Sequence, residues 1–315
     1  MLQFFLHTFG EGITNLYLRP YNEKIWKFDP SFLDLQMVGR IPKPTRQDIL
    51  NSAAGETIDG YLHQLYFYYP CRGGIESLVR SFTDCYSDKV KIRASQKIES
   101  VEKAKGGYRI STNIGYSASD LVISTIPANE FCRMYQGVPE DVQDAGHNLR
   151  YNSIVIVIVQ LSQDRTGDNF AFMIADKSIL FHRVSKIDFL GEAYHQPNTA
   201  TFMLEITYRK DDSISQLSDE EIMNKASEGL YKLGFADDET KILSYTVKHF
   251  EYAYVLYDLD HQSKMKKIRD YFTEQGVFLH GRFGNFEYLN MDSIIDESKK
   301  LSDLIKRRFI EGAVH

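Results

Sequence analysis

The 315-residue chain is 43% hydrophobic and 25% charged, with only 8 prolines, which excludes disorder, collagen and coiled coil as overall classes and leaves room for about two domains. A formal net charge of −6 argues against a general nucleic-acid binder but not against a local basic pocket for one small anion. Cys71, Cys85 and Cys132 form no CxxC pair, and the nine histidines show no ligand spacing, so neither a disulfide framework nor a metal site is expected.

Leu2, Phe5, Leu6, Phe9, Ile13, Leu16 and Tyr17 recur on a helical period. This predicts a helix over residues 1–17 that Arg19-Pro20 ends, because the residue before proline is steered out of the α region. The segment has no basic n-region and no small-residue cleavage site, so it does not read as a signal peptide. Prolines 30, 42 and 44 punctuate a loop-rich stretch before a short helix at 45–52. Residues 65–69 read as a strand, 70–74 as a turn, and 75–86 as a helix with Leu78, Val79 and Phe82 inward.

Short strands are expected at 90–92, 97–102 and 108–112, with Gly106-Gly107 as a hairpin turn. The apolar run 121–125 has the pattern of a strand buried on both faces. Residues 151–161, 171–174, 179–182 and 201–208 extend a sheet. A helix follows at 218–233, where Ser218 and Glu221 fit a capping box. A strand at 242–250, a helix at 262–274, a buried strand at 277–279 and a closing helix at 291–310 complete the chain. The class is mixed α and β, with a large sheet built from distant segments. The longest apolar run, Ile154 to Val159, is far short of the roughly 20 residues that span a bilayer. A cytoplasmic protein is expected.

The sole G-x-G, Gly10-Glu11-Gly12, sits in a helical pattern and is followed by Asn15, so it reads as a helix feature without phosphate chemistry. More informative is Gly281-Arg-Phe-Gly-Asn-Phe-Glu-Tyr-Leu-Asn-Met-Asp-Ser293, where a short strand runs into a glycine-bracketed arginine, an aromatic loop and a helix start. A helix N-terminus presents unpaired N–H groups and a positive dipole end, which suits an anionic or multi-hydroxyl ligand. The same residues also read as an ordinary N-cap at Asn290 or Asp292 beside a surface arginine.

That segment resembles the C-terminal flavin-contacting motif of the UDP-galactopyranose mutases, within the amine-oxidase and protoporphyrinogen-oxidase-like FAD superfamily. Further blocks match in order: Arg19-Pro-Tyr-Asn-Glu-Lys-Ile-Trp26, Val38-Gly-Arg-Ile-Pro42, Tyr69-Pro-Cys-Arg-Gly-Gly74, Leu121-Val-Ile-Ser-Thr-Ile-Pro127, His182-Arg183 and Tyr252-Ala-Tyr254. The resemblance therefore covers almost the whole chain. It implies an α/β FAD-linked oxidoreductase-like architecture with a large mixed or antiparallel substrate-domain sheet and an incomplete first Rossmann unit. Residues 1–88 would be a mostly helical substrate-side region leading back to the cofactor domain. Residues 89–250 would be the sheet-bearing substrate domain, with part of the cofactor domain at about 89–127, and 251–315 the flavin-contacting strand and helix.

The resemblance further implies isomerisation of a nucleotide sugar through a reduced-flavin N5 adduct. Arg183 would be the main pyrophosphate arginine and Arg40 the second cation near flavin and sugar. Tyr254 and Tyr288 would hold the diphosphate, and Trp26 would line the sugar pocket. Gly281, Arg282, Asn290, Met291, Asp292 and Ser293 would meet the flavin's ribityl and pyrophosphate region. On the residues alone, Arg40 and Arg183 read as ordinary ion pairs and Trp26 as a core hydrophobe. Met173 stands where the eukaryotic-type mutases carry a further diphosphate tyrosine, and a thioether donates no hydrogen bond. Asp292 stands where bacterial mutases favour His. The sequence begins after the glycine-rich βαβ unit that cradles ADP in the family, so this chain alone is expected to bind FAD weakly or not at all. A fragment, a separate FAD-binding subunit, a lost cofactor and a late-starting reading frame are all consistent with that. The alternatives to a mutase are an FAD-dependent oxidoreductase and a non-catalytic subunit.

Overall fold

The computed structural model describes residues 1–39, 41, 43–56 and 67–307. The first helix does not stop where the sequence predicts. Helix α1 (Leu2–Ile13), kinked at Gly10 with φ 79° and ψ 172°, runs through a π-helical turn, Thr14–Leu18, into α2 (Arg19–Trp26). Proline removes an N–H and crowds the carbonyl four residues back. Pro20 is tolerated because it lies in the first turn of α2, behind a wider π turn in which the Arg19 N–H bonds the Thr14 carbonyl.

Helix α3 (Arg46–Ala53) starts as expected, with Thr45 and Asp48 capping each other's backbone N–H. Residues 67–69 are not in a strand, and 65 and 66 lie outside the described residues. Helix α4 (Glu76–Tyr86) forms, but its apolar stripe is not turned inward. Val79 is 57% and Phe82 45% exposed, and Leu78 is half-buried. Periodicity locates a stripe; it does not say what covers it.

Strands β1 (Ile98–Ala104), β2 (Gly107–Thr112) and the unforeseen β3 (Gly115–Ser119) make an antiparallel meander, with Gly106 at φ 84° in the first turn. Residues 90–92 are irregular rather than a strand. Then come β4 (Val122–Ser124), α5 (Ala128–Met134), α6 (Glu140–His147) and β5 (Arg150–Leu161). Three more strands, β6 (Ala171–Met173), β7 (Arg183–Lys186) and β8 (Ala200–Tyr208), precede α7 (Asp219–Lys232). The chain continues through β9 (Ile242–Leu256), α8 (His261–Gln275), β10 (Val277–Leu279) and α9 (Met291–Lys306). Among the described residues no helix is long and apolar enough to cross a membrane.

The chain divides into two compact units, Met1–Lys91 with Asn152–Glu251, and Ile92–Tyr151 with Tyr252–His315. The first is built on a five-stranded sheet in the order β6-β7-β8-β5-β9, antiparallel from β6 through β5. Val155, Val157 and Val159 stand opposite Ile206, Leu204 and Phe202, all fully buried. Helix α7 lays Ile222, Met223, Ala226 and Leu230 into the same core. Gly229 lets the helix approach: a Cβ there would meet Phe181 Cε1 at 2.8 Å and Ile179 Cγ2 at 3.0 Å. The strand expected at 179–182 is a correction. Ile179 and Phe181 do enter this core, but from irregular backbone, and the strand itself is β7. Alternation there reports burial rather than pairing.

In the second unit, β4 and β10 form a parallel pair. This corrects the reading of 121–125 as buried on both faces, since among the described residues the sheet has only these two strands and Ile123 is 46% exposed. The rings of Phe131, Tyr135 and Phe272 interlock at 4.9–5.9 Å to join α5 to α8. The Tyr108 hydroxyl donates to the Gln275 carbonyl at 2.6 Å and ties the meander to the end of α8.

Candidate functional site

In the first unit the candidate chemistry gathers on three adjacent strands. The register places Arg183, at the start of β7, directly opposite Met173 on β6 and Glu205 on β8. Cross-strand partners share a face, so the three side chains form a row. The Arg183 guanidinium, through Nη2, is paired with the Glu205 carboxylate, which is 3% exposed, while the arginine side chain itself is 36% exposed. A buried carboxylate thus holds the guanidinium of a partly exposed arginine.

His182 lies next to this pair, almost fully buried, with Nε2 3.7 Å from the second Glu205 oxygen. Burial, and then the positive charges of Arg183, Lys24 and Lys27, push its pKa down to about 3. A neutral His182 leaves the Glu205 charge to Arg183. Lys24 is buried as well, and its ammonium donates to the Ile174 and Asp176 carbonyls at 3.0 and 2.8 Å. Burial lowers its pKa to about 8.

Trp26, expected against the sugar, is 9% exposed, and its indole N–H donates to Asn22 Oδ1 at 2.8 Å. Asn152 secures that end of α2 by donating to the Ile25 and Trp26 carbonyls at 3.0 and 2.7 Å. Sequence reasoning overlooked Tyr21, whose hydroxyl donates to Met173 Sδ at 3.1 Å. The only signal was its place in the Arg19–Trp26 block. Arg40 lies outside the described residues.

The second unit brings Tyr254 and Tyr288 together, with rings parallel to within 5° and centroids 5.9 Å apart. Arg282 holds them: its guanidinium lies 4.3 Å from the Tyr288 centroid and 5.7 Å from that of Tyr254. The same group donates to the Ala253 carbonyl at 2.7 Å and the Leu289 carbonyl at 3.4 Å, and the Tyr257 hydroxyl accepts the Tyr288 N–H at 2.6 Å. Arg282 is thus engaged by its own loop.

Gly281, at φ 76°, has open space where a Cβ would stand, whereas a Cβ on Gly284 would meet the Ser124 carbonyl oxygen at 2.6 Å. Gly284 therefore serves the packing of its turn on β4. Helix α9 begins at Met291 behind Asn290, with no side-chain cap hydrogen bond. Met291 and Asp292 are exposed and Ser293 half-buried. Gly281 and residues 290–293 fit an oxygen-rich cofactor segment; Arg282, with its N–H groups turned to backbone carbonyls, fits a supporting place behind them. Among the described residues no cluster of His, Cys, Asp or Glu could hold a metal ion.

No family model matches the sequence. Solved structures do share its fold. A reduced UDP-galactopyranose mutase aligns with a TM-score of 0.80 at 18% identity, covering 90% of this chain and 61% of the mutase. A protein from Exiguobacterium sp. 255-15, assigned as a protoporphyrinogen oxidase, aligns at 0.63 and 16% identity over 74% of this chain and 51% of its own. A CLA-producing fatty acid isomerase from P. acnes aligns at 0.58 and 12% identity over 95% of this chain and 64% of its own. The chain has the fold expected from its motifs, that of the UDP-galactopyranose mutases and their FAD-linked oxidoreductase-like relatives. It spans 61% of the length of the mutase.

Proposed function

We propose that this chain is the substrate-binding portion of a mutase-like flavoprotein acting on a nucleotide-linked sugar. The observation that carries the reading is the Arg183–Glu205 pair, a planar cation held by a buried carboxylate, with the arginine side chain 36% exposed. A guanidinium so held is preorganised for the paired hydrogen bonds that a diphosphate oxygen edge accepts. In the second unit the stacked Tyr254 and Tyr288 carry hydroxyls of a kind that suits an anionic ligand, and Trp26 and Arg40 are read with the sugar. Reduced FAD, when bound, supplies an electron-rich nucleophile for the anomeric carbon. Gly281 and residues 290–293 would hold its oxygen-rich portion, with Arg282 behind them. What this chain contributes is orientation and stabilisation of the negative charge that develops on the departing diphosphate.

The nucleotide-binding βαβ domain would be contributed by further sequence or by a partner chain. The exposed stripe of α4 (Ile75, Val79, Phe82, Tyr86) is assigned as a surface that this domain covers. The setting proposed is cytoplasmic, consistent with three free thiols. The test combines the chain with such a domain and reduced FAD, then follows UDP-galactopyranose by chromatography. Appearance of the furanose form is expected; binding of FAD with no response to UDP overturns the reading. Met173, a thioether opposite Arg183, favours a second reading as an oxidoreductase acting on a less anionic substrate. Steady flavin reduction by an amine, with UDP inert, would select it.

A further inference from the structure

We propose that Asn152 is a positioning residue for the sugar end of the ligand, acting through the main chain of Trp26. This rests on the reading of Trp26 with the sugar. A helix leaves its last four carbonyls without partners inside its regular turns. In α2 these belong to Glu23, Lys24, Ile25 and Trp26, and each has a donor. Lys27, at φ 52°, turns its N–H back to the Glu23 carbonyl at 3.0 Å. Thr207 Oγ1 donates to the Lys24 carbonyl at 3.1 Å. The single amide nitrogen of Asn152 donates to the Ile25 and Trp26 carbonyls at 3.0 and 2.7 Å.

The amide is kept here at a cost. Asn152 is fully buried, and its Oδ1 has no hydrogen-bond partner among the described residues. A side chain that only filled the space would carry no unpaired oxygen, so the position is set by its two N–H donors. The donors also share a surface with the anion arginine's partner. Thr207 stands opposite Ile154, and Asn152 lies two residues before Ile154, so both point to one face of the sheet. Glu205, which pairs with Arg183, lies two residues before Thr207 on that face, about 7 Å along β8. The end of α2 is thus indexed to the strand that holds Arg183. The indole is fixed separately, from within the helix. Its N–H donates to Asn22 Oδ1 at 2.8 Å, and Asn22 Nδ2 donates to the Leu18 carbonyl at 2.7 Å. Main chain and ring are therefore both set before a ligand arrives, which lowers the ordering cost of binding.

The test is calorimetric titration of the full chain with UDP and UDP-galactose, together with the emission of Trp26, the only tryptophan. Asn152→Asp keeps the shape but sets a carboxyl group, with at most one proton to give, against two carbonyls. It is expected to red-shift the ligand-free emission and to weaken UDP-galactose about tenfold, with UDP within about threefold of wild type. Thr207→Val removes a single donor and guards against a variant that fails to fold. It should weaken UDP-galactose about threefold and leave UDP unchanged. Equal losses of the two ligands in both variants, or no loss in either, overturn the proposal. So does a changed preference with Trp26 emission unmoved. Trp26→Phe separates the proposal from the reading beneath it. If that variant binds UDP-galactose as wild type does, the sugar reading of Trp26 fails and takes the proposal with it. If it weakens UDP-galactose while Asn152→Asp and Thr207→Val do not, the reading stands and Asn152 is ruled out. A wild-type chain that binds neither ligand overturns both.

Discussion

Arg183 and Arg282 are the same side chain put to opposite uses. Arg183 is held against a buried carboxylate on the neighbouring strand, with about a third of its side chain exposed. Arg282 turns its fork to two backbone carbonyls and lies over the faces of two tyrosines, so it ties its own loop together. The difference lies in what stands opposite each guanidinium when the chain folds.

The largest expected effect comes from removing what keeps Glu205 for Arg183. The folded-state pKa of His182 lies near 3, below its ordinary value of 6.5. Between those values the unfolded chain binds a proton that the native chain does not, so stability falls as the pH is lowered, by up to about 5 kcal/mol across that window. Urea unfolding at pH 4 and pH 7 measures this. His182→Gln should flatten the dependence; an undiminished acid slope in that variant would place the effect elsewhere.

Next comes Arg183→Ala, which leaves Glu205 buried with its principal cation removed. A loss of about 3 kcal/mol is expected, together with loss of UDP binding, and Arg183→Lys should recover part of the stability but little of the affinity. Gly229→Ala is the control for stability alone. Overpacking Phe181 and Ile179 should cost about 2 kcal/mol with UDP affinity unmoved.

Arg282→Lys tests the other side of the comparison. It loses the planar stack and the double carbonyl contact, for about 1 kcal/mol of stability, and loosens the tyrosine pair. UDP affinity should fall less than in Arg183→Ala; an equal fall would mean that Arg282 also meets the ligand. The smallest effect is expected at Val79→Lys, within about 0.5 kcal/mol in the chain alone because Val79 is already exposed. If α4 is the surface covered by a nucleotide-binding domain, pull-down with that domain should fail while stability is unchanged.

Much of the fold was legible because its signals are local. The helix start near Thr45, the capping box at Ser218, the turn at Gly106 and the strand runs 151–161 and 201–208 each act within a few residues, and each marks the element observed. Errors fell where a distant segment decides. Pro20 was read as a stop because the π turn ahead of it leaves no mark in the residue pattern. Ile179 and Phe181 were read as a strand because irregular backbone can bury alternate residues too. Leu78, Val79 and Phe82 were read as inward because a stripe looks the same whether or not anything covers it.

By itself the sequence determined the class of fold and the residue types present at the positions of interest. Ordered motifs and local periodicities survive without knowledge of the rest of the chain. Only the tertiary structure decided which arginine meets a carboxylate and which meets backbone carbonyls, and that a tyrosine 152 residues away in sequence sets its hydroxyl beside Met173. The physical reason is that a donor's availability depends on the partners folding brings to it, and here those partners come from strands and helices far apart along the chain.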